Sequence, residues 1–447
     1  MVNLELLFVG LLQEQAIPPS LKQLLTYQDV TLDSSTLLSA PIIPITPVYQ
    51  LETRLDDGFP SQNVDVKEFD SAQDDEDEDD DDDEDDDDED EFFSGPRRQT
   101  SPYGFLEGEV IFGTSGVSGR DLDDSVVFQG SAEFTFNVSF TGEDILAIGL
   151  EGGIAEDFSF IEDITFEGQL DSPSDTDEGQ FELGDLYYEF PVGDRASLYI
   201  STTGDDIEDF NPFLDEALSE FGAENPISGL LGDFGFQFNY EIVDPLELTL
   251  GYFSEDGSDP DAGLFRGNYS AFAQLGFEPS DRFLLGLTYI YTNNDSSLET
   301  ETGSVRSQLD LGRPVIGNSF GAAVSFSPSD RVAIGGWAGF TNARVLGLGD
   351  ADVWNYALTL AFPDFGKEGD LLGLIIGQEP RLTGTSGFMV DDRRRDPDVS
   401  LHLELLYTNR ISDQISITPG LIWITAPNHD HSNPDIVLFT VRTTFEF

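Results

Sequence analysis

The sequence predicts an all-β protein, a transmembrane antiparallel β-barrel of about 16 strands (range about 16 to 18) with an inward-folded loop that contains a short helix. Three observations predict this fold. The chain ends on an alternating strand, short turns alternate with long loops, and no apolar run approaches the length that a membrane-spanning helix needs.

The last stretch, residues 433–447, alternates apolar and polar side chains. One face carries Val437, Phe439, Val441, Thr443, Phe445 and Phe447, and the other carries Leu438, Thr440, Arg442, Thr444 and Glu446. A strand that ends a chain leaves an unpaired edge unless it pairs with the first strand. The sequence therefore predicts that the sheet closes on itself.

Similar alternation recurs along the chain, at residues 133–140, 234–241, 246–252, 285–291 and 401–407. In several of these segments the apolar face ends in tyrosine, which is typical of the interfacial girdle of a membrane barrel. Predicted tight turns fall at residues 243–245, 279–281 and 328–330, and longer polar loops at 171–179, 254–263 and 293–303. Short turns that alternate with long loops favour a barrel over a β-sandwich.

Residues 1–92 differ in composition and are expected to form a disordered leader and linker before a barrel domain at residues 93–447. Residues 74–91 are an unbroken acidic run, which we interpret either as an acidic spacer or as a tail that attracts calcium or iron. Residues 4–12 resemble part of a signal sequence, but Glu5 interrupts them and no Lys or Arg precedes them.

The net charge of -68 argues against nucleic acid as a partner and favours cations. Cysteine is absent, which excludes thiolate chemistry, and no motif of an enzyme or a cofactor site is present. His429 and His431 are weak candidates for a metal site in a turn. The basic cluster at residues 393–395 either lines the pore or forms a solvated loop paired with Asp391, Asp392 and Asp396.

Several motifs occur in the same order as in a known family: GEVIFG (108–113), SFTGED (139–144), YEFPVGDRASLYI (188–200), PSDRFLLGLTY (279–289), GGWAGFTNAR (335–344), DADVWNYALTLAFPDFGKEG (350–369), SITPGLIWITAPNH (416–429) and VRTTFEF (441–447). From about residue 104 onward the chain resembles the cyanobacterial outer-membrane porins of the carbohydrate-selective, OprB-type family, some of which are labelled iron-uptake porins.

The resemblance implies location in the cell outer membrane, or in a plastid-type outer envelope, and passive diffusion of small solutes and ions. It also implies assembly by the barrel assembly machinery, which reads a terminal aromatic such as Phe447, and a homotrimer by analogy. The S-layer homology domain usual in this family is not visible in residues 1–100, so peptidoglycan binding is not carried over.

A porin needs a polar lumen. The alternation predicts lumen-facing side chains, which are Glu133, Asn137, Gln237, Asn239, Glu241, His402, Glu404 and Arg442. Within residues 205–231 we expect a helix near residues 212–221 with Asn211 as its cap. If this loop folds inward, Asp209, Asp215 and Glu216 would form the constriction; a surface loop is the alternative.

These acidic side chains predict a preference for cations, such as K⁺, Ca²⁺ or iron ions. Neutral saccharides are a competing cargo, as the resemblance implies. A third hypothesis is a non-conducting envelope anchor whose acidic tail binds cations, and a fourth is a soluble acidic β-protein.

Overall fold

The computed structural model describes residues 103–119, 125–154, 158, 164–171, 179–204, 207, 210 and 217–447. The predicted leader and the constriction candidates Asp209, Asp215 and Glu216 lie outside the described residues.

Within these ranges, sixteen antiparallel strands follow one another around a closed barrel. The strands are β1 (Tyr103–Ser118), β2 (Val126–Ser139), β3 (Ile145–Ile154), β4 (Glu182–Pro191), β5 (Ala196–Ser201), β6 (Phe234–Val243), β7 (Leu246–Ser254), β8 (Tyr269–Ser280), β9 (Phe283–Asn294), β10 (Val315–Ser329), β11 (Val332–Val345), β12 (Gly349–Pro363), β13 (Leu371–Ser386), β14 (Leu401–Ser412), β15 (Ile415–Thr425) and β16 (Ile436–Glu446). The predicted fold and its strand number are confirmed.

The barrel closes between its first and last strands, in a register that runs from Glu109 opposite Glu446 to Ser118 opposite Val437. Beyond the end of β16, the backbone N–H of Phe447 donates to the Gly108 carbonyl at 3.0 Å, and the Phe447 carbonyl accepts from Gly108 N–H at 2.9 Å. A Cβ added at Gly108 would lie 2.8 Å from the Phe447 ring, so glycine at this position lets the ring lie against the backbone of β1. Closure satisfies the backbone groups that an edge strand would leave open.

Aromatic side chains cluster on the outer face, as in the pair Phe340 and Trp354, whose ring centroids are 4.6 Å apart. The inner face of the same strands carries small or polar residues, such as Thr341 and Asn355. This alternation suits a wall with lipid outside and polar groups inside. Among the described residues, no helix combines the length and the hydropathy needed to cross a membrane.

The connections alternate in length around the barrel. Two-residue turns join β6 to β7, β8 to β9, β10 to β11 and β14 to β15, and three of these are the turns that the sequence predicted. The long connections lie at the opposite end of the barrel, which we call the loop end. The hairpin from β11 to β12 is an exception there, because only three residues separate the two strands.

Three of the long loops send segments into the barrel, and we call residues 164–171, 217–231 and 296–311 the inward segments. They pack against the inner faces of β5 and of β7 to β16, where Phe221 lies 5.7 Å from Trp337 between ring centroids and Leu218 is 2% exposed. The apolar core of the protein therefore sits inside the barrel, against its wall.

The second inward segment contains one turn of α-helix, α1 (Glu220–Ala223), followed by a 3₁₀ turn at Ser228–Leu230. The Ser219 side chain caps α1 by accepting from the N–H of Gly222 at 3.1 Å. Of the helix predicted at residues 212–221, residues 212–216 and the expected cap Asn211 lie outside the described residues. Residues 217–219 are not helical, because they bond to the first inward segment and to Glu404, so the helix begins only at Glu220. Other 3₁₀ turns are Gly263–Phe265 and Pro427–His429.

Candidate functional site

A row of five glutamates crosses five neighbouring strands on the inner face. In the strand register, Glu446 lies opposite Glu109, and Glu109 lies opposite Glu133. Glu133 in turn lies opposite Glu151, and Glu151 lies opposite Glu182. We call these five residues the acidic row.

The acidic row faces the interior of the barrel. Residues directly opposite each other on antiparallel strands share one face of the sheet. Arg442 shares the face of Glu446, four positions along β16, and it lines a cavity together with Leu170 and Asp171 of the first inward segment. The intervening side chain Phe445 lies on the other face, 6.2 Å from the outward-facing Phe112 between ring centroids.

The row also extends along the pore. Neighbouring strands are about 4.8 Å apart, so five strands carry the row over about 19 Å. Barrel strands tilt by about 40° to the barrel axis. A line perpendicular to the strands is therefore inclined to the membrane plane, and the row changes its position along the barrel axis from strand to strand. Glu446 lies at the turn end of β16 and Glu182 at the loop end of β4. The row thus leads from one end of the barrel toward the other.

The acidic row has other acidic side chains beside it and is accessible to solvent. Glu133, Glu182 and Glu446 are exposed, while Glu109 and Glu151 are half-buried. Asp185 and Glu189 follow on the inner face of β4, and strands β1 to β10 contain no lysine or arginine. Like charges that lie opposite each other on a sheet destabilise it, so the row does not serve the stability of the fold.

The predicted lumen residues of β2 and β6 lie on this inner face, those of β2 within or near the row and those of β6 two strands beyond its end on β4. Asn137 donates to the Glu107 carboxylate at 2.8 Å. Gln237 donates to the Asn239 side-chain oxygen at 3.0 Å, and Asn239 donates to Ser197 at 3.2 Å. Next along β6, Glu241 lies opposite Glu247 of β7.

Two predicted lumen residues have a different environment. His402 and Glu404 lie on the inner face of β14, but each is only 1% exposed because the second inward segment covers them. The Glu404 carboxylate accepts from the Leu218 N–H at 2.7 Å and from the Ser219 hydroxyl at 2.5 Å. These two side chains are therefore in contact with a loop and not with the water of the pore.

The two histidines proposed as weak metal candidates are not brought together. His429 is fully buried, its Nδ1 accepts from the Ser400 N–H at 2.7 Å, and its Nε2 lies 3.3 Å from the Pro380 carbonyl. Burial lowers the pKa of His429 to about 4, so the ring is neutral near pH 7. The His431 side chain is 70% exposed. In the part of the chain that the structure describes, no three or more His, Asp or Glu side chains are grouped to hold a metal ion.

The basic cluster at residues 393–395 lies in the exposed loop between β13 and β14. Arg393 is 3.5 Å from Asp430, while Asp396 is fully buried and binds Arg306 at 3.2 Å. The expected pairing of the cluster with Asp396 is thus replaced by a pairing between the third inward segment and this loop.

Sequence reasoning missed most of the acidic row, because only Glu133 was among the predicted lumen residues. Alternation alone places Glu446 on the polar face of its strand. The alignment of the five glutamates depends on the register between strands, which a single sequence does not show.

Comparison with known proteins agrees with this geometry. Residues 96–447 match the family described as "Carbohydrate-selective porin, OprB family". An uncharacterized protein of Nostoc sp. is 32% identical over 381 residues, which cover 76% of this chain and 65% of the relative. An uncharacterized protein of Synechocystis sp. is 27% identical over 376 residues, covering 76% of this chain and 67% of the relative. The chain thus spans about two thirds of the length of these relatives.

Solved structures show the same fold. OprB of Pseudomonas putida superposes with a TM-score of 0.54 at 12% identity, covering 77% of this chain and 94% of that protein. The anion-selective porin of Comamonas acidovorans superposes with a TM-score of 0.51 at 10% identity, covering 78% and 100%. The chain therefore belongs to the OprB family of carbohydrate-selective porins and is a β-barrel of the outer membrane.

Proposed function

We propose that this porin lets small hydrophilic solutes and inorganic ions diffuse passively across the outer membrane and that it prefers cations. The observation that carries the proposal is the acidic row, which lines the inner face over five neighbouring strands. Selectivity in a pore follows its width and the sign of the charges along its wall.

The sign of the field follows from the charges on the open side of the wall. The acidic row adds five carboxylates there, and Arg442 is the basic side chain that shares their face on β16. Two unit charges about 4 Å apart interact by about 1 kcal/mol in water, and a low-dielectric wall strengthens this interaction. Such a row attracts K⁺ or divalent cations and repels anions of similar size.

The row offers charge without a fixed coordination shell. A selective Ca²⁺ or iron site needs several oxygen or nitrogen ligands held at defined distances. The glutamates of the row instead lie one strand spacing apart, at about 4.8 Å. We therefore infer that the pore admits iron ions, K⁺ and Ca²⁺ because of their positive charge and has no binding site specific for any one of them.

Neutral saccharides are the second candidate cargo, and an uncharged part of the wall favours them. Amide and hydroxyl side chains line the inner face of β5 and β6, as in the hydrogen bond of 3.2 Å from Asn239 to Ser197, both of which are half-buried. Such groups bind sugar hydroxyls without a net charge. The inward-facing rings of Phe253, Phe272 and Trp337 are buried and offer no stacking surface to a sugar in the pore.

Two further proposals concern assembly. We infer that Phe447, which is 56% exposed on the outer face, is read by the barrel assembly machinery before it packs beside Gly108. A homotrimer is the oligomer we propose. Residues 1–92 with their acidic run are proposed to act as a solvated leader, and the barrel domain to begin near residue 93.

Planar-bilayer recordings of the full chain under a KCl gradient test the function. We expect stepwise channels whose reversal potential favours K⁺ over Cl⁻. Liposome swelling with uncharged sugars in parallel tests the second cargo, and uptake is expected for a carbohydrate-conducting pore. A correctly inserted barrel that neither conducts nor admits sugars would contradict the proposal and favour the non-conducting envelope anchor.

A further inference from the structure

A buried cluster on β13 and β14 has no part in the proposed ion path. Glu379, His402 and Glu404 are each 1% exposed. The Nδ1 of His402 lies 2.7 Å from Oε1 of Glu379, and its Nε2 lies 3.5 Å from Oε2 of Glu404. We call these three residues the wall triad.

Each carboxylate of the wall triad binds a different part of the inward segments. Glu404 accepts from the backbone of Leu218 and from the Ser219 hydroxyl in the second inward segment. Glu379 accepts from the Gly168 N–H at 3.2 Å in the first inward segment and from the Thr302 hydroxyl in the third. Two adjacent strands therefore hold three loops at one place.

The three inward segments are also bonded to one another. Leu170 forms a β-bridge with Ser219, and the Glu220 N–H donates to the Gln169 carbonyl at 3.3 Å. The Phe166 N–H donates to the Gly303 carbonyl at 3.0 Å, which joins the first segment to the third. Because the segments are connected, the wall triad anchors all of them as one unit.

Glycines in the wall near the triad leave room for the side chains of the inward segments. A Cβ at Gly420 would lie 1.9 Å from the Leu218 side chain, and one at Gly377 would lie 2.6 Å from the Phe221 ring. The close approach excludes water from the carboxylates, so each of their hydrogen bonds lacks a solvent replacement. Glu167 is buried beside Glu379 and adds another acidic group to the same contact.

We propose that the wall triad consists of positioning residues that latch the inward segments to β13 and β14 and so set the width of the pore. This inference rests on the proposed pore function for its electrical readout. When each carboxylate is replaced by an amide, one of its two acceptor oxygens becomes an NH₂ group that faces a donor of the inward segments, and the segments move out from the wall into the pore.

The test is the Glu379→Gln and Glu404→Gln double variant of the full chain in planar bilayers. We expect altered single-channel conductance and greater open-channel noise, with the same sign of ion selectivity. A matched control is Ser319→Ala, because Ser319 bonds Thr341 at 2.8 Å between neighbouring strands and both side chains are buried. Conductance and noise equal to those of the control would overturn the proposal.

A second readout does not depend on conduction. The chain has no cysteine, so a thiol introduced by Ala217→Cys in the second inward segment is unique, and Ala217 is fully buried. In the double variant we expect its labelling by a water-soluble maleimide to be about tenfold to a hundredfold faster than with the triad intact. An unchanged labelling rate would overturn the latch even if the protein proved not to conduct.

The single Glu404→Gln variant keeps the side-chain shape and one acceptor oxygen at residue 404. It replaces the double variant in both experiments if the double variant fails to form a barrel. A shift in the electrophoretic mobility of the barrel on heating identifies folded samples before either readout. For this variant we expect the same changes in noise and in labelling rate, in the same direction and smaller. Their absence in a folded sample would count against the latch.

Discussion

Glu133 and Glu404 occupy equivalent positions in their strands and have opposite environments. Each is an inward-facing glutamate between apolar, lipid-facing neighbours. Glu133 is exposed and lies between Glu109 and Glu151 in the acidic row, whereas Glu404 is 1% exposed and binds a loop. A glutamate on the inner face therefore contributes to a negative electrostatic field on one side of the barrel and holds an inward segment on the other.

The difference comes from the loops and not from the strands. The described inward segments pack against β5 and β7 to β16, while the glutamates of the acidic row on β1 to β4 stay exposed or half-buried. Water screens the repulsion between the row's carboxylates. Where the loops exclude water, carboxylates are retained with hydrogen-bond donors on each side. The loops thus divide one polar inner face into a solvent-accessible side and a side covered by loops.

The largest expected effect comes from replacing the buried glutamate. Glu404→Leu leaves the Leu218 N–H and the Ser219 hydroxyl without their acceptor and removes the carboxylate beside Nε2 of His402, and we expect a loss of about 3–5 kcal/mol in the free energy of unfolding. Urea unfolding of the barrel in lipid vesicles measures this loss.

The matched change on the open side is Glu133→Leu. It removes a carboxylate that faces like charges, so we expect a change within about 0.5 kcal/mol. Equal destabilisation by the two leucine substitutions would show that the two sides of the wall are not distinct.

A pH dependence of intermediate size is expected from the first inward segment. Burial, together with the nearby Glu379 carboxylate, raises the pKa of Glu167 from 4.5 to about 8. The folded protein then keeps a proton that the unfolded chain loses, so stability falls as the pH rises from about 4.5 to about 8 and levels off above that. The slope contributed by Glu167 is at most about 1.4 kcal/mol per pH unit.

Unfolding curves of the wild type and of Glu167→Gln across this pH range check the expectation. The variant cannot ionise at this position, so its stability should decline less between pH values of about 5 and 8. Glu182→Gln, which removes an exposed carboxylate of the acidic row, serves as the control and should keep the wild-type slope. Parallel slopes for the wild type and Glu167→Gln would contradict the assignment.

The sequence predicted the barrel because its signals are local. Alternation in residues 433–447, turn residues such as Asp244 and Pro245, and the terminal Phe447 each report on one strand or one turn. The faces of the strands also follow from alternation, which placed Glu133 and Arg442 on the inner side.

The environment of those side chains could not be predicted in the same way. Whether Glu404 meets water or Leu218 depends on a loop whose anchor is about 186 residues away in the chain. The acidic row depends on the register of four strand pairs, and Glu379 lies within a register shift between β12 and β13 that alternation does not reveal. Contacts between residues far apart in the sequence therefore determine which inner-face glutamates are exposed and which are buried under a loop.

The most direct test of the central claim comes from the acidic row itself. The measurement is the reversal potential under a KCl gradient for the triple variant Glu109→Gln, Glu133→Gln and Glu151→Gln, beside the Ser319→Ala control. Removal of three wall charges should change the balance between cation and anion by about 1 kcal/mol, or about fivefold in the K⁺ to Cl⁻ permeability ratio. We predict that the reversal potential shifts toward that of a nonselective pore while the control keeps the wild-type value. A triple variant that remains as cation-selective as the wild type would contradict the claim that the acidic row sets the selectivity of this porin.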